Sequence, residues 1–261
     1  MFPFRSKKNQ TTMYWHIENA LYWEQGRQIL DEAHILIAGA SRCGKSTLIH
    51  KLMWTALAST PASTQFIIID MKEGVEMMRY AGLPHVLRFA DTERDAIAAL
   101  DYAVGITRAR LQEMKSKGIV KYDGSDLYVV IDELGFLLQA CGNEALSRLT
   151  LLGRIAAAAK VHLLMATQDP SRRGCPSAIQ VNCTCCIGMR CKSAMESRQI
   201  IGMAGCEDLP RYGTAYITLG PDIYSLPINP MPEAAYAERI MYWMNPSACM
   251  FTVKEKKRKG A

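Results

Sequence analysis

Five side chains in this sequence are of types, and at places, that could work on a phosphate chain: Lys45, Ser46, Asp132, Glu133 and Gln168. Lys45 and Ser46 close the run Gly39-Ala40-Ser41-Arg42-Cys43-Gly44-Lys45-Ser46-Thr47, which matches the spacing G-x-x-x-x-G-K-[ST]. A loop of this kind turns backbone N–H groups and a helix N-terminus toward phosphate oxygens, and the helix dipole adds a favourable field. Every residue from Gly39 to Thr47 is therefore a candidate nucleotide contact. Lys45 would reach the β- and γ-phosphates, and the Ser46 hydroxyl would ligate Mg²⁺. The loop predicts binding of a nucleoside triphosphate.

Asp132 and Glu133 end the apolar run Leu127-Tyr128-Val129-Val130-Ile131. In a parallel α/β sheet, ligands gather at the C-terminal ends of the strands, so these carboxylates would lie beside the loop. Asp132 is expected in the Mg²⁺ shell, usually through water. Glu133 is expected to orient and deprotonate an attacking water. Gln168 follows Val161-His162-Leu163-Leu164-Met165-Ala166-Thr167, where it would hydrogen-bond the γ-phosphate or that water.

The elements that must position these groups follow from the apolar pattern. His34 to Ala38 reads as a buried strand entering the loop, and Leu48 to about Ala58 as the helix leaving it, stopped by Pro61. Short apolar runs at 65–70, 126–131, 161–167 and 184–189 read as further buried strands. Between them, 92–117 has helical spacing, with a cap at Asp91 or Thr92, acids in the first turn and Gly118 past its end. Helices are also expected near 144–159 and 193–201. A hairpin is expected to turn at Gly220-Pro221 between 214–218 and 223–226, with a last helix from Pro232. Residues 1–33 are mixed, with Tyr14-Trp15 and Tyr22-Trp23 suggesting a hairpin or edge element. Successive strand and helix units without a composition break predict an α/β fold in one domain. Its span is expected at 31–246, between an extension over 1–30 and a basic tail over 247–261.

Composition narrows the function classes. With 49% hydrophobic and 21% charged residues the chain can fill a globular core. No stretch approaches the ~18 apolar residues of a membrane span, and the start lacks the features of a secretory signal. A cytoplasmic protein is expected, recruited to a membrane only through a partner. Of a formal net charge of +6, most sits in Lys254-Glu255-Lys256-Lys257-Arg258-Lys259, a solvated tail or a phosphate-contacting arm. Nine cysteines, with Cys183, Cys185, Cys186 and Cys191 close together, include one C-x-x-C spacing, Cys183 to Cys186, but no second pair to complete a four-ligand site. Strand alternation would send neighbouring thiols to opposite faces, so reduced, buried thiols are expected rather than a zinc site.

These motifs, in this order, resemble the motor domain of the FtsK/SpoIIIE family of DNA translocases. Beyond the loop, Phe66-Ile67-Ile68-Ile69-Asp70-Met71-Lys72 is similar to the family's second strand with its Asp-x-Lys ending. Gly82-Leu83-Pro84-His85 resembles the turn that follows, and Val130-Ile131-Asp132-Glu133 the second nucleotide motif. His162 to Gln168 with Pro170-Ser171 resembles the sensor strand. Gly188-Met189-Arg190-Cys191 and Glu196-Ser197-Arg198 resemble the region carrying family arginines. The resemblance covers roughly 30–225 and implies a RecA-like P-loop NTPase with a mainly parallel central sheet flanked by helices. It further implies an ATP- and Mg²⁺-dependent ring, usually hexameric, on double-stranded DNA, with Arg190 or Arg198 acting at a neighbour's site or sensing nucleotide.

Three departures accompany it. Cys43 replaces a small residue, which would place an oxidisable thiol near the phosphates. Asp169 stands where many relatives have Arg, and Ala156-Ala157-Ala158-Ala159 replaces a helix end that is often Arg-bearing. The sequence contains neither the membrane-spanning part nor the DNA-reading winged helix of chromosome-segregating members. It is similar instead to compact relatives on plasmids, phages and conjugative elements, which a partner protein would recruit. Candidate DNA contacts are Ser171-Arg172-Arg173-Gly174 and Lys115-Ser116-Lys117. The alternative function is an ATP-dependent assembly switch or scaffold that does not translocate. A small-molecule kinase would not need the acid pair, and the Ser-Gly-Gly-Gln signature of transporter ATPases is missing.

Overall fold

The computed structural model describes residues 24–72 and 76–228. The expected hairpin around 14–23, the helix from Pro232 and the basic tail lie outside the described residues. Among the described residues eight strands form one sheet, β1 (His34–Ala38), β2 (Thr64–Ile69), β3 (Val86–Ala90), β4 (Asp126–Ile131), β5 (Val161–Thr167), β6 (Cys185–Gly188), β7 (Thr214–Leu219) and β8 (Asp222–Pro227). Their spatial order is β3-β2-β4-β5-β1-β6-β7-β8. The first six run parallel, and β7 and β8 add an antiparallel edge. β1 and β5 are buried at every position, as expected of parallel strands covered on both faces.

Alternation along the strands divides the core. Ile35 and Ile37 of β1 face one layer, with Ile68, Val130 and Leu164, while Leu36 faces the other with Ile69, Ile131 and Met165. The first layer is closed by α1 (Glu24–Leu30) and α2 (Lys45–Ser59), through Ile29, Leu48, Leu52 and Trp54. The second is closed by α3 (Glu93–Lys117) and α4 (Leu134–Ile155), through Leu100, Leu137, Leu149 and Leu152. Two short helices, α5 (Ser177–Gln180) and α6 (Ala194–Ile201), flank β6 in sequence. The chain is thus α/β, with helices on both faces of a mainly parallel sheet.

Local chemistry accounts for most boundaries. Thr92 caps α3 by accepting the Asp95 N–H, and Gly118 closes it in the left-handed region at φ 66°. Ser193 caps α6 in the same way, accepting the Glu196 N–H. Gly220, at φ 61°, turns the β7–β8 hairpin where expected.

Four elements differ from the pattern-based expectation, the unanticipated four-residue α5 among them. The helix expected near 144–159 is α4, which begins at Leu134 directly after Glu133 and ends at Ile155. Gly135 and Gly142 interrupt its apolar period, and Gly142 (φ 54°, ψ −135°) breaks the helical backbone inside it. β3 was not anticipated, because it is an edge strand with the exposed Arg88 in the middle of five residues. Nor was α1, whose seven residues Glu24–Leu30 are mostly polar and whose apolar side chains, Ile29 and Leu30, come only at its end.

Candidate nucleotide-binding and hydrolysis site

β5 lies between β1 and β4, so the strand carrying the loop and the strand carrying the carboxylates are one strand apart. Neighbouring strands are spaced about 4.8 Å apart, which sets the two C-terminal ends roughly 10 Å from each other. The end of β5, with Gln168, falls between them. Three chain segments distant in sequence therefore meet at one edge.

The loop is held at its start and cramped in its middle. Gly39 N–H donates to the Thr167 carbonyl at 3.3 Å and Ala40 N–H to the Arg190 carbonyl at 2.8 Å, tying it to the ends of β5 and β6. A Cβ on Gly39 would stand 2.9 Å from Met189 Cβ and 3.1 Å from the Arg190 carbonyl oxygen, so only glycine fits. Gly44 precedes α2 at φ 104° with no side-chain cap, leaving the first N–H groups of that helix without a side-chain acceptor. Arg42 also takes a left-handed backbone, at φ 57°, and is exposed, as is Ser41. Lys45 is buried, and its ammonium donates to the carbonyls of Gly39 at 2.9 Å and Ala40 at 2.8 Å. Burial pulls its pKa below the ordinary lysine value. These are oxygen acceptors that phosphate oxygens could replace, so the loop fits a polyphosphate. Thr47 is half-buried in the first turn of α2.

The thiol expected near the phosphates is buried. Cys43 is 2% exposed, its Sγ faces Met189 Sδ at 3.9 Å, and burial raises its pKa despite the nearby Lys45 charge. Fewer thiolates mean slower oxidation. The other clustered thiols divide as expected: Cys185 belongs to one core layer and Cys186 to the opposite one. Burial pushes Cys186 up to about 11.

Asp132 and Glu133, 2% and 7% exposed, follow β4 and start α4. Ser46 Oγ donates to Asp132 Oδ1 at 3.3 Å, so the hydroxyl and carboxylate that would share a Mg²⁺ shell already meet. Hydroxyl and carboxylate oxygens are suitable donors for that ion. Glu133 Oε1 accepts the Gln168 backbone N–H at 2.9 Å, while the buried Oε2 makes no hydrogen bond. A carboxylate with one oxygen anchored and the other free of hydrogen bonds is oriented to accept a proton. Gln168 itself is exposed.

Lys72 is the site residue that pattern reasoning did not single out. Its ammonium lies 2.9 Å from Asp132 Oδ2 and 3.5 Å from Glu133 Oε2. Burial works against this charge, yet Asp132 and then Glu133 hold its pKa above the usual lysine value. The turn carrying it is fixed by the fully buried Asp70, which accepts the N–H groups of Lys72 and Met77, each at 3.1 Å. The Asp-x-Lys ending of β2 was the available signal, but only the β2–β4 pairing reveals its meaning.

Among the described residues neither candidate arginine makes a hydrogen bond or ion pair with the carboxylates. Arg190 Nη1 donates to the Leu209 carbonyl at 2.8 Å, so this side chain is tethered within its own chain, beside the loop. Arg198 is exposed on α6. Asp169 accepts the Ser171 N–H at 2.9 Å and shapes the turn carrying Arg172 and Arg173. Among the described residues no helix is long and apolar enough to cross a membrane.

A phosphate loop on β1, an acid pair one strand away and a mainly parallel sheet covered by helices define a P-loop ATPase domain. The profile of the FtsK/SpoIIIE family matches residues 10–129. The DNA translocase FtsK of Clostridium acetobutylicum is 32% identical over 192 residues, which cover 67% of this chain and 25% of that protein. The chain belongs to the FtsK/SpoIIIE family, and it spans about a quarter of the length of the curated relatives it matches. Two solved structures share the fold. The pCW3 conjugation coupling protein TcpA, in a monomer form with ATPγS, superposes with a TM-score of 0.72 at 19% identity, covering 82% of this chain and 65% of that one. The cytoplasmic domain of the Thermomonospora curvata type VII secretion ATPase EccC gives 0.67 at 23% identity, covering 80% and 28%.

Proposed function

We propose that this chain is an ATP-hydrolysing motor that moves double-stranded DNA, with 31–246 as its ATPase unit. The observation that carries the proposal is the meeting of Lys45, Ser46, Asp132 and Glu133 at one sheet edge, in a chain of this family. Gly39 to Thr47 cradle the phosphates, and Lys45 exchanges its two carbonyl partners for phosphate oxygens. Ser46 and Asp132 would hold Mg²⁺, which supplies charge neutralisation at the transferring phosphoryl group. Glu133, anchored through Oε1, accepts the proton of the attacking water on Oε2. Gln168, between loop and acids, reads the γ-phosphate. Arg198 reaches the ATP site of a neighbouring subunit in a ring, which we take to be a hexamer, while Arg190 couples the loop to β6 within its own subunit.

Such a motor works in the cytoplasm, brought to its DNA by a recruiting partner, in transfer, segregation or maintenance of a plasmid, phage or conjugative element. The test is steady-state ATP hydrolysis with and without long duplex DNA, using Lys45→Ala as the blank. Stimulation by duplex DNA that is lost in the variant is the expected result. Hydrolysis indifferent to DNA would sink the autonomous motor and leave an ATP-dependent assembly switch.

A further inference from the structure

We propose that Lys72 is a displaceable counter-ion that occupies the divalent-cation seat of the nucleotide-free site. The inference rests on the assignment of Asp132 and Ser46 to that seat. Both oxygens of the buried Asp132 carboxylate are already engaged by the chain itself. Oδ1 accepts from Ser46 Oγ at 3.3 Å and Oδ2 from Lys72 Nζ at 2.9 Å. A divalent ion entering there meets an ammonium at hydrogen-bond distance from its principal ligand. A divalent ion and an ammonium on one carboxylate repel each other strongly at that separation in a site 2% exposed, which favours departure of the monovalent one.

The surroundings give Lys72 somewhere to go. Its backbone N–H is pinned to Asp70 Oδ1, so the residue stays and only the side chain swings. With its side chain 34% exposed, there is room for that swing. Glu133 Oε2 lies 3.5 Å from Nζ, so a departing ammonium leaves this oxygen as well as Asp132. Swinging the ammonium out to solvent vacates the seat and leaves Glu133 Oε2 open to the water. Lys72 is in this sense a positioning residue, holding Asp132 and Glu133 in place until the cation arrives. Without it, two buried carboxylates on consecutive residues would stand in the empty site with Lys45 committed to loop carbonyls.

Two measurements on nucleotide-free protein test this without turnover. In the first, Mn²⁺ binding is followed by electron paramagnetic resonance for wild type, Lys72→Met and Lys72→Arg. Removing a unit charge beside the seat should tighten Mn²⁺ binding by about tenfold or more in Lys72→Met, with Lys72→Arg close to wild type. Adding Asp132→Asn to Lys72→Met should abolish the gain. Equal or weaker Mn²⁺ binding in a folded Lys72→Met would overturn the proposal. The second uses wild type alone, so it holds even if the variant fails to fold. Acetylation of Lys72 by acetic anhydride is followed by mass spectrometry with and without Mg²⁺. Mg²⁺ should accelerate it several-fold by freeing the ammonium from Asp132, and an unchanged rate would refute displacement. Binding of a fluorescent ATP analogue, lost in Lys45→Ala, checks the nucleotide-site assignment separately, so failure there is not confused with failure here.

Discussion

Glu133 enters the site with Oε1 bound by a backbone N–H and Oε2 held only by the Lys72 ion pair at 3.5 Å, and Oε2 is where proton transfer belongs. Glutamine in its place keeps an oxygen for the Gln168 N–H but cannot take a proton. Glu133→Gln should therefore lower ATP hydrolysis by about 10²- to 10⁴-fold, the usual range for a general base, while leaving nucleotide affinity nearly unchanged. Single-turnover hydrolysis beside equilibrium binding separates the two, and a parallel loss of binding would mean that Glu133 is structural. Arg42 poses a different question, because a left-handed backbone at φ 57° costs a non-glycine residue about 1 kcal/mol or more. Glycine would relieve that strain, offset in part by roughly 0.5–1 kcal/mol of extra unfolded-state freedom. Arg42→Gly should leave stability to urea unchanged or slightly raised, while the loss of a cation on the loop rim weakens binding of an ATP analogue several-fold. A clear drop in stability would show instead that the Arg42 side chain holds the loop in place.

At the scale of elements, the join between β1 and β5 carries a titratable group. His34 accepts the Leu163 N–H on Nδ1 at 3.1 Å, and burial, with the nearby His162, pulls its pKa down to about 4. The folded state thus holds His34 neutral, and an unfolded chain binds the proton with a pKa near 6.5. Between those values the unfolded state binds more protons, so stability is full above about pH 6.5 and falls as pH drops toward 4. The penalty approaches roughly 3 kcal/mol at the acid end. His34→Gln, which keeps an acceptor for the Leu163 N–H without titrating, should flatten the slope of unfolding free energy over that window. His50, also held down to about 4 by burial, will keep part of it. An identical slope in the variant would assign acid sensitivity elsewhere. The same elements show what the sequence could reveal. β1, β2, β4 and β5 are legible because strands covered on both faces become unbroken apolar runs, and the β7–β8 hairpin because Gly220-Pro221 marks it. α4 was legible only in part, since Gly135 and Gly142 hide its start in the sequence period. Phosphate-loop geometry was readable from one contiguous motif. Lys72 was not, because its partners lie sixty positions away and only strand order joins them. The burial of Cys43 was hidden for a related reason, since proximity in sequence does not tell which way a thiol points.

For the molecule as a whole, the two basic stretches that could meet DNA lie at opposite edges of the sheet. Ser171-Arg172-Arg173-Gly174 follows the C-terminal end of β5, at the edge where nucleotide would bind. The turn there is shaped by Asp169 and by Ser171, whose hydroxyl accepts the Arg173 N–H at 3.3 Å. Both arginines are exposed. Lys115 and Lys117 end α3 at the other edge, and Lys117 is paired with Glu113 at 2.6 Å. A motor that converts hydrolysis into DNA movement needs its DNA contacts mechanically close to the groups that sense the γ-phosphate. Only the first stretch meets that need, being separated from Gln168 by Asp169 and Pro170 alone. Arg172→Ala with Arg173→Ala should therefore weaken duplex DNA binding at all sequences alike and reduce the slope of log affinity against log salt by about 2, one for each lost phosphate contact. DNA stimulation of ATP hydrolysis should fall in step, while hydrolysis without DNA stays as in wild type. Lys115→Ala with Lys117→Ala should change neither quantity. If the lysine pair carries the salt slope instead, DNA passes the far edge of the sheet, and the coupling between nucleotide and DNA must run through the length of α3 rather than through the turn after β5.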